Sequence, residues 1–152
     1  MYVTLLNIIE YVSLAYIFII DIKRKIIPER GFLILLAMGF LKALYFNYLT
    51  EWYLGICAFS MPLLFLYIVE DYVKKELIGF GDIKLMMAVG GLLRYENISE
   101  TVRFYIFLYI LGGIFSIFLS AYLKIRKKKT EYIAFGPFII MTYIVFGYLN
   151  II

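Results

Sequence analysis

Six apolar runs divide the chain, with short polar stretches between them. The first extends from about Val3 to Ile20 and carries one internal charge, Glu10. The polar stretch Asp21 to Arg30 follows, and a second run goes from Gly31 to about Tyr48. A turn at Leu49, Thr50 and Glu51 leads into the third, from Trp52 to about Val69. The fourth opens with Gly79-Phe80-Gly81-Asp82 and stays apolar only from Leu85 to Leu93. The fifth covers about Phe104 to Leu123, and the sixth runs from Tyr132 to the end. A membrane-spanning helix needs about 20 mostly apolar residues. The pattern therefore predicts an all-α, polytopic integral membrane protein with about six transmembrane helices, forming one membrane-embedded domain over residues 1–152. The fourth run is too short to span alone and is read as a helix beginning near Asp82.

Composition strengthens the membrane reading. Hydrophobic residues make up 64% of the chain and mean hydropathy is +0.92. A soluble domain of this size is nearer half apolar and has too little interior to hide the excess. The first run has no basic segment before it and no small-residue cleavage site after it, so it is expected to stay as a spanning helix. Twelve of the 15 basic residues fall in three connections on one side: Lys23 to Arg30, Lys74 to Lys84, and Lys124 to Lys129. Lys42, Arg94 and Arg103 lie on or towards the other. Basic loops stay cytoplasmic, which places these connections inside the plasma membrane and both termini outside. The net charge of +4 thus marks topology and contact with the lipid bilayer, and nucleic acid is not an expected partner. The absence of His removes any imidazole base, and the single Cys, Cys57, rules out an internal disulfide or a CxxC metal site. No metal or cofactor is expected.

Two acids carry the candidate chemistry. Asp21 ends the first apolar run and Asp82 opens the fourth, so both fall at the same membrane face. A carboxylate beside hydrocarbon is costly, and such acids are functional candidates by default. Two carboxyls held together cannot easily both ionise, so the pair can divide base and acid roles. Gly79 and Gly81 would permit unusual backbone conformations and close approach of a second chain, and Asp82 could cap the helix that follows. The blander readings are an interfacial charge at Asp21 and a glycine turn with a capping aspartate at Asp82. Glu10 could carry protons, or could face the bundle and pair with a tyrosine hydroxyl. Glu70 and Asp71 are reserve acids. Lys84 could lower a carboxylate pKa or anchor to headgroups, and Gly112 and Gly113 suggest close helix packing.

Three ordered motifs resemble the type IV prepilin peptidases. Asp21-Ile22-Lys23-Arg24-Lys25-Ile26-Ile27-Pro28 is similar to the family's segment in which an aspartate precedes basic residues and an Ile-Pro pair. Gly79-Phe80-Gly81-Asp82-Ile83-Lys84-Leu85 resembles its GxGDxKL signature, and Ala134-Phe135-Gly136-Pro137-Phe138 its C-terminal PFGPF element, with Ala in place of a Pro. The resemblance implies that Asp21 and Asp82 are the catalytic aspartates, supported by Lys23, Pro28, Gly79, Gly81, Lys84, Gly136 and Pro137. It implies cleavage of the short basic leader from pilin, pseudopilin or archaellin precursors at the cytoplasmic face, with Glu70, Asp71 and Glu76 as candidate receivers of the leader. The paired CxxC motifs and large insert of many methylating members are missing between the first helix and Asp21, so methylation by this chain is not expected. The short form also resembles archaeal preflagellin peptidases and the compact peptidases of tight-adherence pili.

Other classes fit part of the pattern. A small proton- or cation-coupled transporter could use Glu10, Asp21 and Asp82, although such proteins usually show a repeated half, and none is visible. A non-catalytic scaffold gives no reason for the ordered motifs. The oligomeric state is left open by the sequence.

Overall fold

The computed structural model describes residues 2–74, 77–125 and 134–148, with side chains outside 119–125 and 148. Six α-helices and no strand occur among the described residues: α1 (Tyr2–Arg24), α2 (Glu29–Phe46), α3 (Leu49–Val73), α4 (Phe80–Leu93), α5 (Ile98–Ile125) and α6 (Gly136–Tyr148). Lys75, Glu76, the Arg126 to Lys129 segment and both ends of the sixth run lie outside the described residues.

Among the described helices α1–α2, α2–α3, α3–α4 and α5–α6 are sequential neighbours, α4 and α5 are not in contact, and α4 sits at the centre. It packs against α3, α2 and α6, and eight of its residues are buried, from Ile83 to Leu93. A helix apolar on all sides is stable only when it is covered on all sides. At 14 residues, α4 is about 21 Å long, short of a hydrocarbon core of about 30 Å. Three described helices are long and apolar enough to cross a membrane: α1, α3 and the Ile98–Phe118 part of α5. Their outward faces carry large exposed apolar side chains such as Tyr16, Ile19, Phe65, Ile117 and Phe118, the kind of surface that lipid covers on spanning helices. The chain is a membrane protein. The expectation of about six spanning helices is met in the helix count, and in three helices by length.

Several boundaries differ from the hydropathy pattern. Helix α1 continues past Ile20, so Asp21 lies inside it and Lys23 and Arg24 form its last turn. Cations suit a helix C-terminus, where the carbonyl ends are unpaired. Leu49, Thr50 and Glu51 form the first turn of α3 rather than a loop, and Glu70 and Asp71 belong to its last turns. Helix α5 begins at Ile98, where Asn97 Oδ1 accepts the Glu100 N–H at 2.9 Å.

The tightest helix crossing is Gly55 on α3 against Gly90 on α4. A Cβ on Gly55 would lie 2.3 Å from the Gly90 carbonyl oxygen, and one on Gly90 would lie 2.5 Å from that of Gly55. Backbone meets backbone there, the usual role of small residues between membrane helices. The Gly112–Gly113 pair does not serve this purpose. A Cβ at Gly112 would meet only the Phe138 ring at 3.9 Å, and one at Gly113 would meet nothing within 4 Å.

Candidate active site

At one end of the bundle the C-terminus of α1, the α1–α2 connection, the start of α4 and the residues before α6 converge. They enclose a cavity of about 600 Å³ lined by Asp21, Lys25, Ile27, Glu29, Gly79, Gly81, Asp82, Lys84, Ala134 and Phe135, with Ile26 at its edge. Asp21 and Asp82, far apart in sequence, line this one cavity.

The spacing along α1 delivers Asp21. Glu10, Ser13, Leu14, Ile17 and Asp21 recur every three or four residues and are its buried residues, so they share the face turned to the bundle. Asp21 is only 4% exposed. Its Oδ2 has no hydrogen-bond partner of good geometry among the described residues, although the Gly136 backbone N–H faces the carboxylate. A Cβ on Gly136 would come 2.5 Å from that same Oδ2. Gly136 is therefore glycine because the carboxylate occupies the space a side chain would need. Phe138 and Ile139 donate their N–H groups to the Phe135 carbonyl, and Pro137 has none to give, which leaves the Gly136 amide as the donor at the start of α6 that is turned to Asp21.

Asp82 does not cap α4 as the sequence suggested. Gly79 is the N-cap, and the helix begins at Phe80. Asp82 is the third helical residue; its N–H donates to the Gly79 carbonyl at 3.0 Å, and a Cβ on Gly79 would lie 3.2 Å from Asp82 Oδ2. The carboxylate thus turns back over the N-cap, as the acidic half of a capping box does. Asp82 lies before the apolar part of α4 and outside the three long spans. Burial, and then the nearby charge of Asp21, push its carboxyl up to about 7, against a smaller opposing effect of the Gly79 N–H. Asp82 accordingly holds its proton below neutral pH.

The glycines of this motif do not supply unusual backbone angles. No described glycine has a positive φ, and Gly79 is extended at φ −73° and ψ 138°. Gly81 instead admits Ile27, whose Cβ would be 3.3 Å from a Gly81 Cβ. Ile27 also reaches the start of α6, its Cδ1 lying 3.4 Å from a Gly136 Cβ position. This isoleucine wedges the α1–α2 connection between both motifs. The sequence reading missed it, as it missed Phe135, because an apolar residue in a connection carries no chemical signal; the Ile-Pro pair was its only trace.

The remaining candidates scatter around this core. Lys84 pairs with Glu29 across the cavity rim and stands 5.2 Å from the Phe80 ring centroid, so its carboxylate is Glu29. Pro28 is the N-cap of α2 at φ −70°, and its carbonyl accepts the Phe32 N–H at 3.2 Å; it aims the helix and does not line the cavity. Lys23 is exposed on the last turn of α1, outside the lining, where Lys25 takes part instead. Pro137 is buried beside Gly136. Glu70 Oε2 accepts the Leu77 N–H at 3.2 Å. Glu10 is not part of this site: eleven residues along α1 put it about 16 Å away, where Lys42 and Tyr143 both hydrogen-bond its carboxylate. The pairing with a tyrosine is met, and the grouping of Glu10 with the two aspartates is not. No three His, Cys, Asp or Glu side chains gather into a metal-binding group among the described residues.

Comparison with known proteins gives two matches that bear on this geometry. The sequence model of the type IV leader peptidase family matches residues 8–125, a span that holds both aspartates. The chain is also similar to the prepilin leader peptidase/N-methyltransferase of Pectobacterium carotovorum subsp. carotovorum, with 32% identity over 125 residues. That alignment covers 80% of this chain and 43% of the relative, so the chain spans less than half of that protein's length. No solved structure matches.

Proposed function

This chain belongs to the type IV leader peptidase family, and on that premise we propose that it is a membrane aspartic endopeptidase in which Asp21 and Asp82 activate water. The observation that carries the reading is the convergence of the two carboxyls on one cavity, with one of them protonated below neutral pH. Ionised Asp21 takes a proton from water as the water oxygen attacks the scissile carbonyl carbon. Protonated Asp82 gives its proton to the carbonyl oxygen, so no free oxyanion has to form. The resulting gem-diol collapses: the C–N bond breaks, Asp21 passes its proton to the leaving amine, and a gem-diol proton returns to Asp82. Both carboxyls end as they began. Lys84 and Glu29 form the rim, and Gly136, Gly81 and Ile27 hold the two aspartates at their depth.

The substrate class follows from the family: prepilin-like precursors, cut between a short basic leader and an apolar helix. Glu70, Asp71 and Glu76 are proposed to receive the leader. Residues 1–152 act as one membrane domain of six helices, with α4 packed at its centre. The cavity end faces the cytoplasm and both termini face out, as the basic residues direct.

The test is to reconstitute the protein in liposomes with a panel of prepilin-like precursors and to sequence the new N-terminus. A single cut immediately before the apolar helix is expected. Failure to cut any member of the panel, with the protein folded, removes the peptidase reading.

A further inference from the structure

The candidate mechanism leaves one buried charged cluster unused. Glu10 is 2% exposed on α1. Lys42 of α2 pairs with its Oε2 and the Tyr143 hydroxyl of α6 donates to its Oε1, so three helices meet at one carboxylate. A buried ion pair of this kind adds little to stability over apolar packing, which calls for another role.

Helical geometry supplies it. Glu10 and Asp21 are eleven residues apart, three helical turns, and so share one face of α1. Tyr143 and Gly136 are seven apart, two turns, and share one face of α6. The two helices are antiparallel and touch at both places: Tyr143 on Glu10, and Gly136 on Asp21. The rungs are spaced about 16 Å along α1 but only about 10 Å along α6. The long reach of the tyrosine and glutamate side chains makes up the difference. Between lipid-like surfaces, apolar contacts resist sliding weakly, because lipid tails are as apolar as the side chains. A directional polar rung does resist it.

We propose that Glu10 and Tyr143 are positioning residues that fix the axial position of α6, and thereby set the Gly136 amide against Asp21, while Lys42 balances the buried charge of Glu10. The proposal rests on the peptidase reading for its effect on rate, but not for its effect on geometry. The hydrogen bond is the part that matters, and the charge is not. The rung persists when Gln replaces Glu10 and Met replaces Lys42, since the Gln carbonyl still accepts the Tyr143 hydroxyl. It is lost when Phe replaces Tyr143.

Two readouts test this. The first is single-turnover cleavage per folded enzyme. Tyr143→Phe is expected to lower kcat by roughly tenfold or more with KM little changed, as misplacing a catalytic group does, while the Glu10→Gln/Lys42→Met pair stays close to wild type. A role in stability alone would reduce the folded fraction and leave kcat per folded molecule intact. The second readout needs no activity. In a Cys57→Ala background, Ile26→Cys and Ala134→Cys flank the cavity, and their joining by a short bifunctional thiol reagent reports the position of the segment entering α6. Tyr143→Phe should reduce that joining severalfold, and the Gln/Met pair should not. Unchanged joining and unchanged kcat in Tyr143→Phe overturn the proposal. Loss of both in the Gln/Met pair would show instead that the charge at Glu10 is required. If the wild type cuts nothing yet the joining falls in Tyr143→Phe, the positioning stands and the peptidase reading fails.

Discussion

Asp82 and Gly136 each do one thing that a neighbouring residue type could not. Asp82 holds its proton because burial and the Asp21 charge both oppose ionisation. A carboxyl raised in this way is protonated at low pH and loses its proton as pH rises, so the proton-donating partner disappears through about pH 7. The rate of cleavage should therefore fall on the alkaline side of neutrality, read as kcat against pH. Removing the Asp21 charge with Asp21→Asn takes away one of the raising causes. The Asp82 carboxyl titration, followed by infrared difference spectroscopy, should then move to lower pH. Gly136 is constrained sterically: Gly136→Ala puts a methyl 2.5 Å from Asp21 Oδ2. Something must shift, and overpacking of this kind costs about 1–3 kcal/mol. Because the displaced atom belongs to the proposed base, cleavage should fall by more than the loss of thermal stability explains. The sequence motifs pointed to both residues. The reason Gly136 must be glycine was not legible, since it depends on a carboxylate more than a hundred positions away.

Helix ends and helix crossings were read unevenly from the sequence. Hydropathy finds where a chain becomes apolar, but a helix ends where its backbone ladder ends. Hence α1 runs through Asp21 to Arg24 and α3 takes in Leu49 to Glu51. The same distinction moved Asp82 from cap to third helical residue, because the extended Gly79 already serves as N-cap. Glycine pairs misled in another way. Adjacent Gly112 and Gly113 look like a packing motif, yet the close crossing uses Gly55 and Gly90, which no local pattern connects. Gly55→Ala would drive a methyl into the Gly90 carbonyl and should lower thermal stability in detergent by about 1–3 kcal/mol. Gly113→Ala meets nothing and gains helix propensity, so its melting temperature should be unchanged or slightly raised. Similar losses from both variants would contradict this account of the α3–α4 contact.

For the molecule as a whole, the described helices divide their labour by length. The 14-residue α4 sits at the centre, where it needs no lipid-facing length, and its start carries Asp82 into the proposed site. The membrane class and the helix number were legible because apolar content and run length are whole-chain properties. The pairing of Asp21 and Asp82 was legible only through the resemblance of the motifs, because it is the packing of α1, α4 and α6 that brings them to one cavity. Orientation is open to direct measurement in a Cys57→Ala background. Thiol reagents that do not cross membranes should label Ile26→Cys from the cytoplasmic side and Glu96→Cys from the outer side, and the reverse pattern would invert the topology. The central claim is the carboxyl pair, and single-turnover cleavage of a precursor by Asp21→Asn and Asp82→Asn tests it most directly, with Glu96→Gln, an exposed acid beyond the opposite end of α4, as a control for loss of an acid. The account predicts that each single variant folds, binds precursor and fails to cut, while the control cuts normally. Near-normal cleavage by either the Asp21 or the Asp82 variant would contradict it.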